Sequence, residues 1–123
     1  IVITSNRGLA GGYNANVVKL ITESDLPKDK LSIYAVGNKG RESLEHKGYS
    51  IVKELPELIE TPAYDEASAL AREVLAAYEK GEVGEIYLAY THFKNTVVHE
   101  PKLIKLLPVS YTHLRAHETL ANL

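Results

Sequence analysis

The spacing of apolar positions changes several times along the chain, and each change marks an element. Ile1–Ser5 is a short β-branched apolar run, the pattern of a buried strand. Asn6–Gly12 is a glycine-rich turn. From Tyr13 the spacing becomes helical: Asn14, Val17, Val18 and Ile21 share one face of a helix that runs to about Glu23. Asp25, Pro27 and Asp29 mark a loop, and Leu31–Val36 predicts a second strand.

Gly37–Gly40 reads as a turn, followed by a short helix over Arg41–Lys47 that Gly48 stops. Tyr49–Val52 predicts a third strand, and Glu54–Pro62, with prolines at 56 and 62, reads as irregular. The longest helix follows, with Ala67, Leu70, Ala71, Val74 and Tyr78 on one stripe. Asp65 and Glu66 sit in its first turn, where the helix dipole favours carboxylates, and Lys80 and Gly81 close it. Glu85–Tyr90 predicts a fourth strand. Thr96–Leu107 is extended but carries Pro101, so it is expected to be an edge strand or a broken one.

Strands alternating with helices in this order predict an α/β fold: a Rossmann-like three-layer domain around a mostly parallel sheet of about four to five strands. Its 123 residues suffice for one domain with a core. The formal net charge of −2 gives no lysine and arginine excess of the kind a nucleic-acid binder uses on phosphates. The chain has no cysteine, which excludes disulfides, thiolate metal sites and a cysteine nucleophile. No apolar run approaches the roughly 18–20 residues that span a bilayer. The chain lacks methionine and opens inside an apolar run, from which a truncated N-terminus is expected.

Two turns carry the candidate chemistry. Gly8, Gly11 and Gly12 permit a close approach of backbone amides to an anion at a helix start, with Arg7 beside them. The stretch lacks the G-x-G-x-x-G spacing of a dinucleotide site and the lysine ending of a P-loop. Its other reading is a tight strand-to-helix turn that lets helix and sheet pack closely. The Gly37–Arg41 turn adds Lys39 and Arg41 around Gly40 at the carboxyl end of the next strand, where such folds bind ligands. Ordinary solvated turns account for the same residues. His46, His92 and His99 share no metal-ligand spacing, and no Ser/His/Asp set is recognisable. Glu57, Glu60, Asp65 and Glu66 form an acidic cluster, read as solvated. Asp25, Asp29 and Asp65 fall in loops or at a helix start rather than at a strand end, against a phospho-receiver site. His113 and His117 stand four apart, but the motif H-E-x-x-H is absent.

Three segments resemble the gamma subunit of F-type ATP synthases. Ile1–Asn16 (IVITSNRGLAGGYNAN) is similar to that family's strand–turn–helix, with Asn6 where the family usually carries an acid and Ala10 where it carries a cysteine. Asn38–Arg41 (NKGR) resembles its G-x-K-G segment, and Glu85–Pro108 resembles its strand, T-x-F-x-N/S turn and closing LLP. The resemblance covers about Ile1–Pro108 and marks Arg7, Gly8, Gly11, Gly12, Asn14, Lys39, Gly40 and Arg41 as structural motif residues. It implies a non-catalytic part of the central rotor stalk, without catalytic, metal or cofactor-binding residues of its own. The implied partners are the alpha/beta ring, reached through shaft helices that lie outside this segment, the epsilon subunit and the c-subunit ring. The implied location is peripheral, in the F1 sector on the cytoplasmic face of the bacterial inner membrane or its organellar equivalent. Exposed apolar surface is expected where shaft helices and neighbours dock. A small phosphate- or nucleotide-binding α/β domain stands as the alternative. Val109–Leu123, by contrast, reads like translated adapter sequence and is expected to be a non-native tail.

Overall fold

A computed structural model of the chain describes residues 1–7, 12–61, 63–95 and 97–108. The adapter-like stretch 109–123, with His113 and His117, lies outside them, as do Gly8, Ala10 and Gly11.

Among the described residues nine elements follow in the order β1 (Val2–Ile3), α1 (Tyr13–Thr22), β2 (Ser32–Val36), α2 (Asn38–His46), β3 (Ser50–Glu54), α3 (Glu57–Glu60), α4 (Tyr64–Glu79), β4 (Ile86–Phe93) and β5 (His99–Leu107), with one 3₁₀ turn at Lys28–Lys30 before β2. The five strands form one sheet in the order β3-β2-β1-β4-β5. β1 pairs parallel with both β2 and β4, β2 pairs parallel with β3, and β5 returns antiparallel on β4.

Alternation along the central strands sends side chains to two cores. Val2, Ile33, Ala35 and Ala89 meet Val17, Val18 and Ile21 of α1 and Leu44 of α2 on one face. Ile1, Ile3, Tyr34, Val36 and Ile86 meet Leu58 and Ile59 of α3 and Leu70 and Val74 of α4 on the other. Helices on both faces make the three layers that the sequence predicts. Leu44 is completely buried.

Several boundaries differ from the sequence expectation. The ladder of β1 is only Val2–Ile3, although its bonding continues: Ala89 N–H donates to the Ile1 carbonyl and Thr4 N–H to the Val36 carbonyl, both at 2.9 Å. β3 is displaced toward the carboxyl end, because Tyr49 N–H closes α2 by donating to the Leu44 carbonyl and the ladder with β2 starts only at Ser50. The proline-flanked stretch after it contains the single turn α3. β4 runs on to Phe93, since each added residue gains a partner on β5. Pro101 pairs with Thr91 on β5, an edge strand, where a missing N–H costs the ladder nothing. At the other edge, Lys53 of β3 bonds Glu73 of α4 at 2.9 Å and Glu54 lies 3.5 Å from Arg41, charges that blunt an open edge.

The largest local correction concerns α2. It begins at Asn38, so Lys39 and Gly40 are helical rather than parts of a turn. The cause lies across the sheet, in the residues that follow β1.

Candidate functional site

The chain leaves β1 toward β2 and β3 on one side and crosses back to β4 on the other, which places a topological switch point at the carboxyl end of β1. The residues that directly follow β1 meet the start of α2 there. Asn6 Oδ1 accepts the Asn38 N–H at 2.9 Å, the Ser5 carbonyl accepts the Lys39 N–H at 3.0 Å, and Thr4 Oγ1 accepts the Gly40 N–H at 2.8 Å. Three successive amides at the start of α2, the donors an anion would use, are thus bonded to the β1 end. Asn6 Nδ2 also donates to the Pro56 carbonyl at 2.8 Å, joining the turn to the α3 side.

Asn14 performs the same service on α1. Its Oδ1 accepts the Ser5 N–H at 3.0 Å and its Nδ2 donates to Ser5 Oγ at 2.7 Å and to the Arg7 carbonyl at 3.3 Å. Gly12 caps α1 with φ of 69°, a left-handed conformation that suits glycine. Gly37 has φ of 108°, and a Cβ there would stand 2.0 Å from the Thr4 carbonyl oxygen.

The cations of these turns face carboxylates. Arg41 Nη1 donates to Glu45 at 3.0 Å and Nη2 lies 3.6 Å from Glu42, while Lys39 Nζ lies 3.9 Å from Glu42. Arg7 is exposed. At the carboxyl end of β4, the His99 ring packs 4.6 Å from both Tyr13 and Phe93, so rings line that side. The structure therefore gathers the Arg7 carbonyl, the Asn14 side chain and the Lys39 and Gly40 amides on the end of β1 and bonds them there, while Arg41 turns to carboxylates. Thr4, Ser5 and Asn6 do much of that bonding. Their polarity at the end of an apolar strand is the only trace they leave in the sequence.

A different surface is open. Between α4 and the strands beneath it runs an apolar groove of about 500 Å³. Ile1, Ile3 and Leu88 floor it, Ala67 and Ala71 form one wall, and Leu58 and Ile59 of α3 close one end. The α4 stripe expected from the sequence is only half used: Leu70 and Val74 are buried, whereas Ala67 and Ala71 are exposed and Tyr64 is 84% exposed. Ile104, opposite Leu88 in the β4–β5 ladder, is partly exposed as well. Apolar surface is thus exposed along α4 and the β4–β5 ladder.

The family model described as ATP synthase matches residues 1–122. The chain belongs to the ATP synthase gamma family. The ATP synthase gamma chain of Lachnoclostridium phytofermentans is 59% identical over 109 residues, 89% of this chain and 38% of that protein. That of Alkaliphilus metalliredigens is 40% identical over 109 residues, with the same two coverages. The chain thus spans well under half the length of the curated relatives it matches. Among solved structures, the central stalk/c-ring of the Tetrahymena thermophila mitochondrial ATP synthase has the same fold. It matches at a TM-score of 0.65 and 24% identity, over 87% of this chain and 47% of that one. Among the described residues of this gamma-family chain, no helix is long and apolar enough to cross a membrane.

Proposed function

We propose that this domain is part of the central rotor stalk of an F-type ATP synthase, where it serves the coupling of proton translocation to ATP synthesis without performing catalysis. Family membership sets the reading, and the open groove on the α4 side is the observation on the molecule that supports it. A rotor foot transmits torque as a rigid, close-packed body and needs apolar surface on which the rest of the rotor seats. In this reading the groove receives the shaft helices that reach into the alpha/beta ring. The epsilon subunit and the c-subunit ring adjoin the rest of the domain, on the cytoplasmic face of the bacterial inner membrane or its organellar equivalent. The work falls to Ile1–Pro108, with 109–123 taking no part.

The motif residues Arg7, Gly8, Gly11, Gly12, Asn14, Lys39, Gly40 and Arg41 are then assigned to turn geometry rather than to a ligand. The internal bonding of the α2 amides supports this over a phosphate site.

A chimaera tests the proposal. Ile1–Pro108 replaces the matching segment of the Lachnoclostridium phytofermentans gamma chain, and assembly and ATP-driven proton pumping are measured in membranes. The expected result is an assembled, coupled enzyme, and a chimaera that folds but does not assemble refutes the reading. ATP and NAD, titrated onto the chain, are expected to show no saturable binding; saturation would favour the ligand-binding alternative.

A further inference from the structure

Asn6 carries two hydrogen bonds that lead to different layers of the fold. Its Oδ1 accepts the Asn38 N–H at 2.9 Å, and its Nδ2 donates to the Pro56 carbonyl at 2.8 Å. The partners fix the orientation of the amide, since a main-chain N–H is met by its oxygen and a main-chain carbonyl by its nitrogen. Asn38 opens α2, whose Leu44 packs on one face of the sheet. Pro56 caps α3, whose Leu58 and Ile59 pack on the other. One side chain just past the central strand thus spans both helical layers. α3 needs such a tether. It is a single turn of four residues without a side-chain cap bond, far shorter than a helix that holds itself. Its own first bonds are long: Leu58 N–H meets the Leu55 carbonyl and Ile59 N–H the Pro56 carbonyl, both at 3.3 Å. The bond from Asn6 is the shorter of the two on the Pro56 carbonyl. Leu55 N–H is fixed to the Ala35 carbonyl at 2.8 Å, so the chain enters α3 anchored at one residue by the sheet and at the next by Asn6.

We propose that Asn6 is a positioning residue that holds the end wall of the α4-side groove: its amide clasps α3 to the carboxyl end of β1 and, by its other atom, to the start of α2. Leu58 and Ile59, which close the groove, sit on the turn so held. The two partners together select an amide. Aspartate keeps an acceptor for the Asn38 N–H, where the α2 dipole favours its charge, but it sets a second oxygen against the Pro56 carbonyl. Alanine loses both bonds. The clasp follows from this bonding alone and holds whether or not the domain serves in a rotor stalk.

Amide hydrogen exchange, resolved by NMR on the 123-residue chain, tests the clasp through a split between its two arms. Asn6→Asp is expected to speed exchange at Ile59 and Thr61 by about tenfold, while the amides of Asn38, Lys39 and Gly40 exchange no faster than in the unaltered chain. Asn6→Ala is expected to speed both sets. A general loss of stability moves both sets together in either variant, so an even response to Asn6→Asp overturns the proposal, as does an α3 that exchanges at its original rate. Should Asn6→Asp fail to fold, the unaltered chain decides. The side-chain NH2 protons of Asn6 are expected to exchange at least about tenfold more slowly than those of Asn95, which is exposed. Equal rates for the two side chains overturn the proposal.

Discussion

Replacing Gly40 by alanine sets two effects of opposite sign against each other. Gly40 lies inside α2, where alanine is favoured over glycine by about 0.5–1 kcal/mol. Propensity alone therefore makes Gly40→Ala stabilising. The structure gives the reverse sign. The new Cβ would stand 2.7 Å from Thr4 Oγ1 and 2.8 Å from Thr4 Cγ2, closer than real contacts allow. Thr4 cannot turn away easily, because it is buried, β-branched and anchored at the end of the central strand. Overpacking of this kind costs about 1–3 kcal/mol. Displacing Oγ1 also weakens its 2.8 Å bond from the Gly40 N–H, worth about 1 kcal/mol. The net expectation is a destabilisation of about 1–3 kcal/mol. Urea unfolding followed by far-UV circular dichroism reads it as a midpoint lowered by about 1 M, for a slope of about 2 kcal/mol/M. Thr4→Ala sharpens the test. Alone it leaves the buried Gly40 amide without an acceptor, but it also removes the two atoms nearest the new methyl, Oγ1 and Cγ2. The double variant is then expected to be less destabilised than the sum of the singles, by about 1 kcal/mol or more. A Gly40→Ala chain that unfolds at the same or a higher urea concentration refutes the reasoning.

Truncating Leu44, the fully buried side chain between α1, α2 and the sheet, to alanine should lower unfolding free energy by about 2–5 kcal/mol in the same assay. Tyr64→Ser, at an 84% exposed ring, should leave unfolding free energy within about 0.5 kcal/mol in the same assay.

What could be read from the sequence was local. The βαβ order, the stripe of Val17, Val18 and Ile21 and the edge position forced by Pro101 all follow from residues close together in the chain. The start of α2 did not, because its first amides are received by Thr4, Ser5 and Asn6, which stand more than thirty positions earlier. The α4 stripe was legible as one apolar face, but only tertiary placement decides that Leu70 and Val74 go inside while Ala67 and Ala71 face the groove. The groove could not be read at all, because its floor is assembled from Ile1, Ile3 and Leu88, far apart in sequence.

The central position of β1 also bears on how the domain is made. Ile1 and Tyr87, hydrogen-bonded across the sheet, are 86 residues apart. β1 can pair with β2, and β2 with β3, early in synthesis, but the other edge of β1 stays unpaired until β4 leaves the ribosome. At about 5–20 residues per second that interval is roughly 4–17 s. Throughout it the half-built sheet presents an apolar face and an open strand to the cell, so the domain depends on protection during translation more than its finished stability suggests.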